Sequence, residues 1–442
     1  MLAAGRVGTA ERGRAGCPRL LDARGGRAAA AARFLLSAML VVLLGGCEAD
    51  LPDYHEILVA EDTAAGDGFG SSVAISGDTL AVGAYREGDP VDRRGALYIG
   101  ERAAGGGWNE RTKLLVPGIG AGDQSGFSIA VDGDWLAAGA IGDFGKDATG
   151  NSRGRVDVYR RDGDDWTHHA TLTRADAVDN DRYGFSVALA DGVLVVGARG
   201  VDDDAGAVYV HRLDGPDAAP MELRATESRP GDRFGEAVAF DGHTVLVGAP
   251  GRDGSEVDAG AVFVFTADEG RWQVAEAPLE SPAPASEGRF GVGVGIDGDH
   301  AIIGASHWRA GGPPGQVWFT SRDAAGRWAD PTAAVADDDS PPPSEPDDME
   351  GFRVALSGTL AVAGAHLVDA RGDNSGAVVA YVLGDHGWRR AARIVPTDGD
   401  ADDHYGIALA LDEGLVLVGA EEADAGGRES GGVYLIDPEL RH

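Results

Sequence analysis

The sequence predicts an all-β fold, a ring of seven four-stranded antiparallel sheets forming a β-propeller, and three observations carry that expectation. A glycine landmark recurs seven times at near-constant spacing. A second landmark, Gly-Ala, follows each at a fixed distance. The chain also holds 69 glycines in 442 residues, about twice the usual share of ~7%, as many tight turns between short strands require.

The first landmark reads Phe69-Gly70, Ser125-Gly126, Tyr183-Gly184, Phe234-Gly235, Phe290-Gly291, Glu350-Gly351 and Tyr405-Gly406, with glycines spaced 56, 58, 51, 56, 60 and 55 residues apart. The second begins 14 residues after each first one: Gly83-Ala84, Gly139-Ala140, Gly197-Ala198, Gly248-Ala249, Gly304-Ala305, Gly364-Ala365 and Gly419-Ala420. Seven copies of this length match one propeller blade each. Strand a alternates after the landmark (Ser72-Val73-Ala74-Ile75), and a Gly/Asp turn leads to strand b (Thr79 to Ala84). The continuous apolar character of strand b predicts burial on both faces. Strand c is typified by Gly206 to Val210 and Gly260 to Val264. Strand d starts near a tryptophan, as in Trp108 to Leu115, Trp166 to Leu172, Trp272 to Leu279 and Trp388 to Ile394. The six- or seven-residue step from each tryptophan to its apolar partner implies a shared face or a bulge.

The last copy stops after Gly431 to Ile436, and an unassigned strand, Glu56 to Ala60, precedes the first. The N-terminal strand is therefore expected to complete the seventh blade as its strand d, leaving no blade open. A monomer is expected.

These motifs, with Val247-Gly248-Ala249-Pro250 and Gly260-Ala261-Val262-Phe263-Val264, resemble FG-GAP repeats, the blades of integrin α-chain propellers and of many bacterial relatives. The resemblance spans residues 54–442 and implies a binding propeller used in adhesion or partner recognition, sometimes with calcium. Copies two and six lack the aromatic, at Ser125 and Glu350; Phe127 and Phe352, just beyond, are candidates to replace it. The family's calcium loop lies between strands a and b. Here those connections (Ser76-Gly77-Asp78, Asp132-Gly133-Asp134, Asp191-Gly192, Asp241-Gly242-His243, Asp297-Gly298-Asp299, Asp412-Glu413-Gly414) are hairpin-sized and too short for the six or more oxygens calcium takes. The usual calcium site is not expected, and no cofactor is, with weak calcium binding on the acidic long loops as the alternative.

Residues 1–46 read as a leader. Phe34 to Leu44 is an apolar run preceded by arginines, too short to span a bilayer and fit for a signal-peptide core. Leu44-Gly45-Gly46-Cys47 resembles the bacterial lipobox, which implies that Cys47 is acylated and becomes the new N-terminus, with residues 47–53 a short tether. Export to a bacterial envelope and attachment to a membrane by lipid alone are the expectation. A soluble secreted product is the alternative. Cys17 and Cys47 are the only cysteines, so the processed chain would have no internal disulfide.

The chain carries a net charge of −34, and seven arginines lie in residues 1–46 against Glu11 and Asp22, so the remainder is more acidic still. Such a surface repels nucleic acid and attracts cations or basic partners. An acidic coat suited to a salt-tolerant source would look the same.

Three residues before the landmark glycine stands Asp67, Asp123, Asp181, Asp232, Asp348 or Asp403 in six copies, with Gly288 the exception. A residue wanted in every blade is read as structural, accepting turn N–H groups ahead of strand a. The b–c connections are longer and acidic. They supply the candidate binding face, Asp202, Asp203, Asp204, Asp253, Glu256, Asp258, Asp373, Glu421, Glu422 and Asp424, together with Asp143, Asp147, Asn151, Asp369 and Asn374. Antiparallel geometry puts the d–a loops, which include Asp176, Asp179, Asp398, Asp400 and Asp402, on the same side. Loops of this kind are where ligands bind, and solvated charge is the alternative reading. Ala336 to Glu350 reads as a d–a insertion rich in Asp and Pro.

Scattered histidines, with no His-Glu-x-x-His, Gly-x-Ser-x-Gly or phosphate loop, argue against an enzyme. Tryptophans are read as blade packing. The favoured expectation is a non-enzymatic surface lipoprotein that binds a protein or glycan in adhesion or envelope assembly. A glycan-cleaving enzyme using channel carboxylates and a purely structural scaffold remain open.

Overall fold

The computed structural model describes residues 56–436, apart from 89–91, 103–107, 115, 143–151, 216–218, 269–270, 275–276, 308–313, 336–344 and 346–347. The leader, Cys47, the tether, Asp143, Asp147, Asn151 and most of the Asp/Pro insertion lie outside the described residues.

Seven separate antiparallel sheets are present. In blade one the strands are Phe69–Ser76, Thr79–Ala84, Ala96–Arg102 and Trp108–Leu114, hydrogen-bonded in that order. Strand b is buried along its whole length in blades one, two, four and seven, the consequence of its unbroken apolar run. Strand d carries the bulge that its six- or seven-residue step requires, the register slipping opposite Ile99/Gly100, Val158/Tyr159 and Ala380/Tyr381. The leading tryptophans are interior: Trp108, Trp166 and Trp388 are buried, and Trp388 stacks at 4.8 Å on Phe319 of the preceding blade.

The seventh sheet has the order Glu56–Leu58, Gly432–Ile436, Leu415–Ala420, Ala408–Asp412. The N-terminal strand is thus its outermost member, pairing Glu56 with Leu435, Ile57 with Tyr434 and Leu58 with Val433. Phe69 of blade one also bridges Gly431 of blade seven, so the ring closes at two levels.

The landmark glycines hold neighbouring blades together. A Cβ on Gly83 would lie 2.2 Å from the Gly126 carbonyl oxygen, and one on Gly139 only 2.0 Å from that of Gly184. The same pairing of Gly-Ala glycine against next-blade landmark glycine recurs at Gly197/Gly235, Gly248/Gly291, Gly304/Gly351, Gly364/Gly406 and Gly419/Gly70. A Cβ has no room on the Gly-Ala glycine. The landmark glycine holds a φ between 84° and 97° and faces the preceding blade's strand c, where a Cβ on Gly126 would lie 2.7 Å from Ala96 O. Both positions are therefore glycine in every blade.

The aromatic of the first landmark packs edge-on against the strand c aromatic of its own blade, as in Phe69/Tyr98, Phe234/Phe263 and Tyr405/Tyr434. The expected replacement by Phe127 and Phe352 does not occur. Ser125, fully buried, takes the aromatic's bridging place beside Gly95. In blade six Glu350 takes it, accepting from Tyr381 Oη and, at 2.9 Å, from Arg390. Each phenylalanine lies one residue past the landmark glycine, which in blade three is Phe185, beside an intact Tyr183. That position faces the channel mouth, and Phe127 packs there on Phe185.

Candidate functional site

Strand a is innermost in each sheet, and both landmarks lie at one end of it, where the d–a and b–c loops meet. Here the long loops are laced from blade to blade. The d–a loop donates backbone bonds to the preceding blade's b–c loop: Gly122 to Asp92 O (2.6 Å), Gly231 to Asp203 O (3.1 Å), Glu287 to Val257 O (2.8 Å), Asp402 to Asp373 O (2.8 Å) and, across the closure, Gly66 to Glu429 O (2.9 Å). The six aspartates before strand a have the structural role expected of them. Asp67, Asp123, Asp181, Asp232, Asp348 and Asp403 each accept the N–H three residues back, at 2.6, 2.6, 2.9, 3.0, 2.7 and 2.7 Å. At the opposite end, a–b hairpin aspartates cap the neighbouring blade's turn, as in Asp412 to Gly77 N (2.7 Å) and Asp132 to Asp191 N (2.8 Å).

The acidic residues of the candidate face divide among blades. Asp202, Asp203 and Asp204 form a turn with φ of 55°, 58° and 62°, a left-handed conformation Asp tolerates better than most residues. Asp202 pairs with Arg224 at 2.8 Å, and the Asp204 carbonyl accepts from Arg233 N at 2.7 Å. Asp253 and Asp424 close their own loops, accepting from Asp258 N (3.0 Å) and Glu429 N (2.6 Å). Asp258 O accepts from Arg289 N. Glu256 and Asp373 are exposed. Glu421 and Glu422 alone of the ten come together at the channel mouth.

Three positions per blade build that mouth: the residue before the landmark, the residue after its glycine, and the residue after Gly-Ala. From blade seven they bring His404 and Glu421; from blade six, Phe352 and His366; from blade three, Arg182, Phe185 and Arg199. Ligand atoms of His404, Glu421 and Glu422 lie within 4.8 Å of one another, the one three-residue group able to hold a metal among the described residues. A side-chain cation already serves it. Arg86 of blade one reaches Glu422 at 2.9 Å and Glu421 at 3.4 Å, and donates through Nε to Tyr85 Oη at 2.8 Å. A metal would have to displace that guanidinium. Burial raises the Glu421 pKa, with Arg86 opposing it, and burial with Glu421 nearby pushes Tyr85 up to about 12.

Aromatic rings floor the mouth between these charges. Tyr85 meets Phe127 edge to face at 5.8 Å, and Phe127 meets Phe185 at a tilt at 5.1 Å. Phe352 meets His366 at 5.1 Å, and His366 meets His404 at 6.0 Å. Burial, helped by His404 and Arg353, pushes His366 down to about 3, so it is neutral. Arg199 lies 4.1 Å over Phe185 and bonds Glu236 of blade four at 2.5 Å.

A second histidine–carboxylate contact lies between strands c and d of blade two, at the outer edge of its sheet. His168 and Thr171 Oγ1 both contact Asp157 Oδ1, at 3.1 and 2.6 Å. His168 Nε2 also lies 3.1 Å from Thr171 Oγ1, so imidazole, hydroxyl and carboxylate form one closed triangle of contacts.

A model of the FG-GAP repeat matches residues 55–100, 166–211, 221–265 and 388–436. The chain is thus a seven-bladed β-propeller carrying FG-GAP repeats. No curated protein matches it.

The sequence reading missed the arginines of the mouth. Three of them, Arg182, Arg233 and Arg289, stand 51 and 56 residues apart along the chain, so no local motif gathers them. The signal was in the column before the landmark aromatic, which reads Gly68, Gln124, Arg182, Arg233, Arg289, Met349, His404.

Proposed function

We propose that this protein is a non-enzymatic, lipid-anchored binding propeller of a bacterial envelope that takes a protein or glycan partner at the channel mouth on its long-loop face. An FG-GAP propeller supports a binding or structural role in general. One observation carries the narrower reading: charged and aromatic side chains from blades one, two, three, four, six and seven converge on a single mouth, whereas hairpin aspartates such as Asp132 and Asp412 are spent on turns. A scaffold alone needs no such convergence. The lipid anchor rests on the sequence around Cys47.

The test is capture of an envelope component or glycan by the processed chain, compared with Phe185→Ala and with Asp299→Ala on the hairpin face. Loss in the first and retention in the second is expected; equal capture by both would exclude the mouth. Radiolabelled palmitate should enter the wild type and not Cys47→Ala.

The group of His404, Glu421 and Glu422 favours a second reading, glycan cleavage by mouth carboxylates. New reducing ends released from a polysaccharide by the wild type, and not by Glu421→Gln, would establish it over simple binding.

A further inference from the structure

The acidic exterior conceals a cationic interior arc. Arg182, Arg233 and Arg289 occupy one equivalent position, the residue before the landmark aromatic, in three consecutive blades. Their backbones are clamped alike. Each N–H donates to the previous blade's b–c loop, at Ser152 O (3.2 Å), Asp204 O (2.7 Å) and Asp258 O (3.0 Å). Each carbonyl accepts from the third residue on, at 3.1, 3.0 and 3.1 Å. All three have positive φ, 53°, 57° and 52°, where blade one has glycine. The repeat geometry therefore sets three guanidinium-bearing residues side by side around the mouth.

Two further arginines face the same space. Arg199, only 7% exposed, spends one Nη on Glu236, and its buried Nε–H has no acceptor among the described residues. Arg353 comes from blade six, lies 4.4 Å over Phe352, and feels the charges of Glu236, Glu421 and Arg199. Glu236 is the common neighbour: Arg182, Arg199, Arg289 and Arg353 all feel its charge, and its N–H bonds the Arg233 carbonyl. Asp204 acts on Arg182, and Asp258 and Glu287 act on Arg289. Arginine also repels arginine here. Arg199 and Arg233 depress the Arg182 pKa, after burial, and Arg233 depresses that of Arg289.

Building on the mouth as the binding site, we infer that the arc of Arg182, Arg199, Arg233, Arg289 and Arg353 recognises the oxyanion groups of an acidic glycan, a uronate carboxylate or a sugar sulfate. Planar guanidinium forks match such groups two bonds at a time. The rings of Phe185, Phe127 and Phe352 offer flat apolar surface to a pyranose face. The exposed rim acids Asp202, Asp203, Asp253 and Asp373 turn away broad anionic surfaces such as a bilayer or a duplex. A thin chain with spaced negative groups can pass that rim and reach the arc.

The experiment is calorimetric titration of the processed chain with a uronate oligosaccharide, a sulfated oligosaccharide, a neutral oligosaccharide of equal length and inorganic phosphate. The inference expects binding of the uronate or the sulfated chain, which of the two wins naming the oxyanion, and none of the neutral one. Arg233→Gln and Arg199→Gln should each weaken it about tenfold or more, the loss of a charge-assisted bond pair. Arg327→Gln on the hairpin face should leave it unchanged. Thermal melts confirm folding, and Arg182→Gln, at a less buried site, replaces Arg199→Gln if that variant does not fold. Binding that survives the arc substitutions, binding of phosphate alone, or no binding of either acidic chain overturns the inference. If the Phe185-dependent capture persists in that last case, the mouth remains a binding site with another ligand; if capture is also lost, the broader reading falls with it.

Discussion

Gly419 and Gly70 meet where the chain's last blade touches its first, and a Cβ on Gly419 would stand 1.9 Å from the Gly70 carbonyl oxygen. The contact joins residues from opposite ends of the sequence, and it repeats the geometry of six other glycine pairs.

Because backbone, not a yielding side chain, blocks the space, Gly248→Ala should cost about 1–3 kcal/mol, the usual range for overpacking. A Cβ there would lie 1.9 Å from the Gly291 carbonyl oxygen. Gly215→Ala, which has only the Arg212 Cβ at 3.9 Å, should stay within about 0.5 kcal/mol. Chemical denaturation of the two variants checks this; equal stabilities would show that the pairs do not set blade spacing.

Deleting residues 54–60 removes Ile57 and Leu58, which pack on the cores of blade seven and of the closure. The loss is about 3 kcal/mol or more, and it strips a sheet edge bare. The melting transition should fall sharply or lose cooperativity. An unchanged transition would mean the ring closes without this strand.

Asp403 predicts a pH signature. Burial, together with the carboxylates of Asp400, Asp424 and Asp398, raises it to about 6 from 3.8, although the Asp400 N–H opposes the shift. The folded state holds this proton more tightly than the unfolded chain. Ionisation therefore disfavours folding above about pH 6, and that penalty fades as pH falls toward 3.8. Asp403→Asn keeps an acceptor for the Asp400 N–H. It should be more stable than wild type at pH 8 and equal to it near pH 4, by melting temperature.

His366 has the opposite sign. Its pKa of about 3 against 6.5 means that acid below pH 6.5 favours the unfolded chain, which can take the proton that the folded site refuses. The groups facing it are His404 and Arg353. Its imidazole NMR signals should not titrate between pH 8 and 5, and a midpoint near 6.5 would refute the burial.

Arg86→Gln should leave Glu421, Glu422 and His404 without their cation. The variant is expected to lose stability and to gain a thermal shift with Zn²⁺ that the wild type lacks, since one nitrogen and two carboxylate oxygens then converge on open space. No shift in either protein would show that the group is too splayed for a metal.

The seven landmarks made blade number, strand order and ring closure legible, because each is a steric demand written into every copy. The aspartates before strand a were legible for the same reason. The fates of Phe127 and Phe352 were not, since proximity in sequence to the missing aromatic does not reveal which side of the strand each takes. The candidate face was read as loops rich in acid, and its richness concealed that Asp253 and Asp424 are consumed by their own loops. The mouth depends on single residues from different copies, such as Arg199 beside Glu236, which only the closed ring brings together.

The N-terminal strand also determines how the molecule would bear tension. A chain held from upstream of Glu56 pulls on a strand whose three partners, Val433, Tyr434 and Leu435, are bonded across it. Force along that axis shears all three pairs at once instead of peeling them singly, because ladder bonds run perpendicular to the strand. Tethering at that end would thus strain the propeller at the seam where its first and last segments are fastened.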